Sequence, residues 1–291
     1  RQMCIRDRSE RNSMNPQQYC QEKAAASGSS FYYSFLFLPT AKRQAITALY
    51  AFCREVDDIA DECQDIQTAY TKLNWWRDEI TRLYAGQPQH PVSHALSPAI
   101  KQYQLAQELF MEIIDGMQMD LEQDRYQNFS QLQLYCYRVA SVVGLLSAEI
   151  FGYQNRKTLK YAHDLGLAFQ LTNIIRDVGE DARRGRIYLP LDEMAQFGVS
   201  ETDILHGHQS EKIQALMEYQ ISRAQQLYDK AMSQLPTEDK ASQRTGLIMA
   251  AIYRTLLNEI AQDGAQKVLN SRTSLTPLRK LWLAWVTYLK N

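Results

Sequence analysis

Apolar side chains recur along most of this chain at the three- and four-residue spacing that places them on one face of an α-helix. No run alternates polar and apolar residues over the length of a useful β-strand, and no segment repeats at a period of about 20 to 50 residues. No linker divides the chain. The pattern therefore predicts one all-α domain, with helices over residues 15–28, 41–63, 68–84, 99–124, 130–152, 155–185, 211–235, 238–263 and 272–291.

Proline and capping residues indicate where several of these helices begin or end. Asn15 followed by Pro16 is a typical N-cap and first-turn pair. Pro39 and Thr40 predict a helix stop and a new cap. Three prolines within residues 86–98 predict a loop between two helices.

Composition narrows the class of protein only a little. The 291 residues are 45% hydrophobic, which supports a substantial core. With 32 basic and 33 acidic side chains, the net charge is -1. The protein therefore has no overall positive electrostatic field that would attract nucleic acid, and we expect no nucleic-acid partner. Five cysteines without a CxxC pair favour reduced thiols in a cytoplasmic protein. The longest apolar runs fall far short of the ~20 residues that span a bilayer.

The first 13 residues are polar and begin without methionine. We expect residues 1–14 to be a non-native or disordered extension, with Met14 as the natural start and residues 15–291 as the domain. A short basic targeting arm is the alternative interpretation.

Two polar stripes interrupt the apolar pattern. On the helix over 41–63, spacings of four, three and four keep four residues on one face, namely Tyr50, Arg54, Asp57 and Asp61. On the helix over 155–185, spacings of three, four and four do the same for Gln170, Asn173, Asp177 and Asp181. Each of these helices thus carries two aspartates along one side.

Such stripes suit Mg²⁺, which prefers oxygen ligands and is commonly held by a few carboxylates together with phosphate oxygens of a substrate. For the first stripe alone, a solvated acidic helix face would be at least as good an interpretation. The second stripe favours a cation site, because Asn173 and Asp177 lie beside apolar residues on a helix that otherwise reads as buried. The predicted metal ligands are Asp57, Asp61, Asn173, Asp177 and Asp181.

The residues around both stripes resemble the two signature segments of the squalene and phytoene synthases, the head-to-head trans-prenyltransferases. These segments are ALYAFCREVDDIADE at 48–62 and NIIRDVGEDARRGRIYLP at 173–190. The resemblance runs from about Asn15 to the C-terminus. Within the family, GSSFYYSFLFLP at 28–39 and DGMQMDL at 115–121 resemble the bacterial presqualene diphosphate synthases of hopanoid biosynthesis. The resemblance implies an isoprenoid-synthase-type helical bundle around a central cavity.

The resemblance also implies which side chains meet the substrate. Asp120 would lie close to the reacting centre, and the face that carries Tyr135 and Gly144 would line a prenyl tunnel. From the residues alone, close helix packing is the preferred interpretation of the small side chains on that face. The implied substrate contacts are Ser27, Gly28, Ser29, Ser30, Tyr50, Arg54, Tyr135, Gln170, Arg176, Arg186, Tyr188 and Tyr253. The implied catalytic set is Tyr50, Arg54, Asp57, Asp61, Asp177 and Asp181.

By resemblance, two molecules of farnesyl diphosphate would condense to presqualene diphosphate and diphosphate, with two or three Mg²⁺ ions bridged by the substrate diphosphate. NADPH is not expected, although the absence of a GxGxxG motif argues only weakly against it, since reductive members bind NADPH without that fold. The alternatives are a squalene synthase with NADPH reduction, a phytoene synthase acting on geranylgeranyl diphosphate, a class I terpene cyclase, and a non-catalytic helical binding protein.

The predicted helix over 272–291 has one apolar side flanked by Arg279, Lys280 and Lys290. That side carries Leu278, Leu281, Trp282, Trp285 and Leu289. Docking of this side on the body of the protein is the main expectation, and peripheral contact with the inner face of a membrane is the second. A downstream enzyme of squalene formation is the other partner that the resemblance implies.

Overall fold

The computed structural model of the protein describes residues 15–26, 31–63 and 65–290, apart from the side chain of Tyr32. Within these residues no β-strand forms, and a single β-bridge joins Arg125 to Ile187. The predictions for residues 1–14 lie outside the described part. The α-helices are α1 Pro16–Ala26, α2 Phe31–Phe35, α3 Thr40–Glu62, α4 Ile66–Tyr84, α5 Pro91–Tyr103, α6 Gln107–Glu122, α7 Phe129–Cys136, α8 Val142–Phe151, α9 Lys157–Arg183, α10 Leu191–Gln196, α11 Glu201–Leu205, α12 Glu211–Gln234, α13 Arg244–Asp263 and α14 Pro277–Lys290.

Most predicted helices are confirmed within a few residues of their predicted ends. The Asn15 side chain accepts a hydrogen bond from the Gln17 N–H at 3.0 Å and so caps α1. The all-helical, single-domain prediction is likewise confirmed. One detail differs, because Thr40 begins α3 without capping it and no side chain caps that helix.

The predicted loop over 86–98 and the single helix over 99–124 are wrong. Helix α5 already begins at Pro91, and His90 caps it by accepting a hydrogen bond from the Val92 N–H at 3.2 Å. Proline in the first turn of a helix costs no intrahelical hydrogen bond, because a backbone N–H at that position would have no acceptor within the helix. The chain then leaves the helix at Gln104, whose φ of 52° is left-handed, before α6 begins.

The core consists of two apolar clusters. One is centred on α9, α12 and α13, and the other on α3 to α6 with α8. Helix α9 lies inside the first cluster with most of its length buried, so its polar stripe is embedded in the protein. Four cysteines of the described part carry free thiols, namely Cys20, Cys53, Cys63 and Cys136.

Helices α7 and α8 form one continuous helical run, Phe129–Phe151, through a π-helical turn at Tyr137–Ser141. In the described part of the chain, this is the one helix long and apolar enough to cross a membrane by length and composition. Leu132, Val142 and Leu146 on it are buried inside the protein. A place in the core therefore accounts for its apolar composition.

The Phe129–Phe151 run and α9 approach each other closely at two glycines. A Cβ atom on Gly144 would lie 2.4 Å from the Ala162 carbonyl oxygen, and one on Gly166 would lie 2.6 Å from the Ala140 carbonyl oxygen. Gly144 also borders the central cavity. The close-packing interpretation is therefore confirmed, while the prenyl-tunnel interpretation stays a prediction for a face that borders a cavity. A large side chain at Gly144 would separate the helices before it filled the cavity.

We expect Gly144→Ala to lower the free energy of unfolding by about 1–3 kcal/mol, because the clash is with backbone that cannot rotate away. Gly246→Ala is the matched control. A Cβ atom on Gly246 would lie 2.6 Å from the hydroxyl oxygen of Tyr161, which is the end of a side chain and not backbone. Urea unfolding of both variants measures the difference. A loss as large for Gly246→Ala as for Gly144→Ala would contradict this explanation.

Candidate active site

The predicted site residues surround one cavity of about 730 Å³. Its walls come mainly from α3, the Phe129–Phe151 run, α9, α13 and the segment that leads into α14. Residues 27 to 30 lie outside the described part, so Ser27, Gly28, Ser29 and Ser30 stay predictions. All the other candidates line the cavity, namely Tyr50, Arg54, Asp57, Asp61, Tyr135, Gln170, Asn173, Arg176, Asp177, Asp181, Arg186, Tyr188 and Tyr253.

The first stripe lies along α3, with its carboxylates paired to arginines. Arg54 donates to Asp57 and, at 2.6 Å, to Asp58 on the neighbouring face. Asp61 lies 3.2 Å from the nearest guanidinium nitrogen of Arg186, which follows α9 in the chain. The stripe is therefore bounded by positive charge from its own helix and from the end of α9.

The second stripe lies along α9 and faces the same cavity. Arg176 donates two hydrogen bonds to Asp177, one of them from Nε to Oδ1 at 2.7 Å. Arg272, from the segment before α14, contacts the same carboxylate at 3.0 Å. Two guanidinium groups thus converge on one carboxylate of the second stripe.

Burial and mutual repulsion raise the pKa values of two carboxyls in the stripes, those of Asp57 and Asp181. Burial is the largest cause for Asp57, whose pKa is raised to about 6, with the charge of Asp61 adding to the effect and Arg54 opposing it. For Asp181, burial and then the charge of Asp177 raise the pKa to about 7. Carboxylates crowded in this way are better accommodated when a cation lies among them.

Asp120 is held at the cavity wall by two tyrosines. The Tyr135 hydroxyl donates to one of its oxygens at 2.8 Å, and the Tyr188 hydroxyl donates to the other at 2.7 Å. The two rings stack with centroids 5.4 Å apart. Burial raises the pKa of Asp120 to about 6, against the lowering effect of these hydrogen bonds and of Arg186. The carboxylate therefore fixes two predicted substrate contacts in place.

The donor set fits Mg²⁺ bound together with a phosphorylated substrate. The Asn173 side-chain oxygen is buried and has no hydrogen-bond partner, while its amide nitrogen lies 3.4 Å from the Gln170 oxygen. An orphaned buried oxygen is costly unless it binds a donor or a cation. Among the described residues, no three His, Cys, Asp or Glu side chains converge into a closed ion site. Water and diphosphate oxygens would have to complete the coordination, as Mg²⁺ commonly requires.

Away from the carboxylates the cavity wall is apolar and aromatic. Phe31 packs on Tyr50 with ring centroids 5.4 Å apart, and Phe169 packs on Tyr253 at 5.0 Å. Farther along α9 and α13 the lining residues include Tyr161 and Gly246. One end of the cavity therefore suits anionic groups and the other suits hydrocarbon.

Arg272 and Lys280 line the cavity but did not emerge from the sequence as site residues. Arg272 contacts Asp177, and Arg184, close to the predicted Arg186, lies 3.4 Å from Asp61. Lys280 enters the cavity from α14, where burial first, and then the charges of the nearby arginines, lower its pKa. These contacts join segments far apart in the chain, and no spacing rule connects them.

Comparison with known proteins identifies the family. Residues 24–279 match the family model for squalene/phytoene synthase. A 15-cis-phytoene synthase of Synechococcus elongatus is 37% identical over 274 residues, which cover 90% of this chain and 89% of that protein.

Solved structures of related enzymes share the fold. A dehydrosqualene synthase superposes with a TM-score of 0.84 at 30% identity and covers 94% of this chain and 96% of its own. The squalene synthase HpnC of Alicyclobacillus acidocaldarius superposes with a TM-score of 0.76 at 26% identity, covering 86% of this chain and 94% of its own. The two facing stripes, the shared cavity and the match over most of the chain together show that this protein belongs to the squalene/phytoene synthase family.

Proposed function

We propose that this protein condenses two molecules of farnesyl diphosphate head to head, with Mg²⁺, to give presqualene diphosphate and diphosphate. Head-to-head prenyl condensation is the reaction of the family, whose members use divalent metal ions with diphosphate substrates. The observation that carries the proposal is the cavity itself. It joins two facing aspartate stripes to an apolar wall within one cavity.

The first substrate loses its diphosphate when the C–O bond breaks and leaves an allylic carbocation. Mg²⁺ bound to Asp57, Asp61, Asn173, Asp177 and Asp181 would neutralise charge on the leaving diphosphate. Arg54 and Arg176 would orient its oxygens, since a guanidinium recognises them through several N–H groups at once. The aromatic wall keeps water away from the cation.

The second substrate supplies the new carbon–carbon bond. The π electrons of its double bond attack the cation, and loss of one proton closes a cyclopropane ring. The products are presqualene diphosphate, diphosphate and one proton, so no oxidant or reductant is required. The walls of the cavity contribute by holding the two prenyl chains in register.

The depth of the cavity supports the farnesyl chain as substrate. Tyr161 precedes Asn173 by three turns of α9, which places it about 18 Å from the metal-binding end. Its ring is buried, and its hydroxyl has no hydrogen-bond partner and lies against Gly246 of α13. We infer that three isoprene units fit in front of Tyr161 and that a fourth would collide with it.

A phytoene-type reaction on geranylgeranyl diphosphate is the second candidate. It is favoured by relatives named phytoene synthase, such as the Synechococcus elongatus protein at 37% identity. The two candidates share the carboxylate stripes and differ in the length of the prenyl chain. The two candidates therefore require apolar channels of different length.

The test is to incubate the full chain with Mg²⁺ and either farnesyl or geranylgeranyl diphosphate, with and without NADPH, and to identify products by mass spectrometry. Presqualene diphosphate from farnesyl diphosphate under both conditions is the expected result. Squalene formed only with NADPH would make the protein a reductive squalene synthase. Product from geranylgeranyl diphosphate alone would establish the phytoene-type reaction, and no product from either would favour a binding protein.

The same assay with Tyr161→Ala tests the inferred limit on chain length. Removing the ring should raise kcat/KM for geranylgeranyl relative to farnesyl diphosphate by about tenfold or more, because a steric block to added methylenes is lifted. Tyr161→Phe keeps the ring and should leave the ratio unchanged. An unchanged ratio in Tyr161→Ala would show that the chain ends elsewhere in the cavity.

A further inference from the structure

Helix α14 packs on the protein with its apolar side turned outward. Leu278 is 79% exposed, Trp282 60%, Trp285 50% and Leu289 63%. Their spacings of four, three and four place them on one stripe, and the half-exposed Leu281 lies beside it. We call Leu278, Leu281, Trp282, Trp285 and Leu289 the outer face of α14. The expectation that this side docks on the body of the protein is wrong.

The inward side of α14 holds the helix in place through other residues. Ala284 is fully buried. The Tyr288 ring stacks on the Phe37 ring with centroids 4.5 Å apart, and the Arg244 guanidinium carbon lies 4.5 Å from the Tyr288 ring centroid. Lys280 lies 5.6 Å from the ring centroid of Tyr33 and borders the cavity. The orientation of α14 is therefore fixed by specific contacts, and the exposure of its outer face follows from them.

Neighbouring residues extend the exposed apolar surface. Leu36 and Phe37, in the turn after α2, are both partly exposed, and the stacking of Phe37 on Tyr288 places this turn against α14. Large apolar surfaces that stay exposed on a folded protein commonly mark sites of association.

The charged side chains that the segment 264–291 itself contributes are all cationic, and three of them are already engaged, because Arg272 contacts Asp177, Arg279 contacts Glu259 and Lys280 borders the cavity. From residue 264 to the C-terminus the sequence contains five cationic side chains and no carboxylate side chain, the cations being Lys267, Arg272, Arg279, Lys280 and Lys290. Arg279 reaches the neighbouring α13, where it contacts Glu259 at 2.7 Å. Lys290, at the end of α14, is exposed.

We propose that the outer face of α14 and the adjoining turn dock on a lipid bilayer that carries anionic headgroups. At 14 residues the helix is shorter than the roughly 20 needed to span a bilayer, so it lies in the plane of the interface. Tryptophan is favoured at that depth, leucine reaches into the acyl region, and lysine and arginine meet the headgroups.

Charge favours a bilayer over a second copy of the chain as the partner. A twofold dimer through this face would bring the same surface of both copies together. Arg279 and Lys290, the exposed cations of α14, would then meet the same cations of the other copy, and the helix itself has no carboxylate to balance Lys290. An anionic lipid surface supplies the missing opposite charge.

The position of α14 connects this surface to the cavity. Leu275 and Lys280 of the same segment line the cavity from the inside. A membrane-bound α14 would therefore separate the cavity from lipid by a single helix. Under the proposed function, this arrangement suits prenyl substrates and products that partition into a bilayer.

The test is flotation of the full chain with phosphatidylcholine vesicles and with vesicles in which about a third of the lipid is phosphatidylglycerol. Binding should be stronger to the anionic vesicles and should weaken with salt. The variant Trp282→Ser/Trp285→Ser should bind at least about tenfold more weakly, because two aromatic anchors are lost. Trp75→Ser is the matched control, since Trp75 is also partly exposed but lies on α4.

Light scattering during gel filtration without vesicles identifies any protein partner. A monomer in wild type and in both variants is expected. No binding to anionic vesicles, or equal binding by wild type and the double variant, would overturn the proposal. A wild-type dimer that the double variant converts to a monomer would assign the face to a second copy instead. None of these readouts depends on catalytic turnover.

Discussion

Replacing Asp57 or Asp177 by asparagine will lower kcat/KM for prenyl condensation by about 10²- to 10³-fold while the helices stay folded. Asparagine keeps the size of the side chain and one oxygen but removes a negative charge that would hold Mg²⁺ at the leaving diphosphate. Asp57→Asn should not impair folding, because burial already raises the pKa of Asp57 to about 6 and so disfavours its charged form. Asp177→Asn keeps an oxygen that can accept hydrogen bonds from Arg176 and Arg272. The rate is measured with farnesyl diphosphate at saturating Mg²⁺.

Two further measurements separate loss of metal binding from loss of structure. Inorganic diphosphate with Mg²⁺ should raise the thermal midpoint of the wild type and have little effect on either variant, because a ligand stabilises only the state that binds it. Asp115→Asn is the control, since Asp115 also forms an ion pair with an arginine, Arg77 at 2.6 Å, but does not line the cavity. Near-normal turnover in Asp57→Asn and Asp177→Asn would refute the predicted metal site.

The two stripes could be read from the sequence because the helix itself fixes their geometry. Residues three and four apart share a face in any α-helix, so spacing alone placed Tyr50, Arg54, Asp57 and Asp61 together. The prediction that both stripes hold the same cations rested on their shared chemistry and was supported by the family resemblance, because periodicity does not state which helices are neighbours.

Contacts between distant segments could not be predicted in this way. Asp120 binds Tyr135 across a loop and Tyr188 from beyond α9. Arg272 reaches Asp177 from the segment before α14. The packing of the helices creates these contacts, and no local pattern records them.

Helix α14 shows a different limit of the sequence pattern. Its apolar stripe was predicted correctly, but the stripe faces outward because Ala284, Tyr288 and Lys280 make the contacts with the protein. Periodicity identifies an apolar side without identifying its partner. The loop predicted over 86–98 failed for a similar reason, since proline is compatible both with a loop and with the first turn of a helix.

Arg176→Lys is expected to lower kcat/KM about 10²-fold, nearly as much as Arg176→Met. Arg176 lies at the boundary between the aspartate stripe and the aromatic wall, where it donates to Asp177 through two nitrogens. A guanidinium can turn the same planar set of N–H groups toward diphosphate, whereas an ammonium supplies only a compact point charge. Conservation of charge alone should therefore not rescue activity.

Arg223 provides the matched control for Arg176. Its guanidinium also bonds to one carboxylate through two nitrogens, that of Glu193, and both arginine side chains are 17% exposed. Neither Arg223 nor Glu193 lines the cavity. Arg223→Lys should lower the free energy of unfolding, because it weakens a buried pair, yet leave kcat/KM unchanged. If Arg176→Lys retained wild-type kcat/KM, a point charge would suffice at the diphosphate. If Arg223→Lys lost as much activity, the effect of Arg176 would be one of stability and not of substrate recognition.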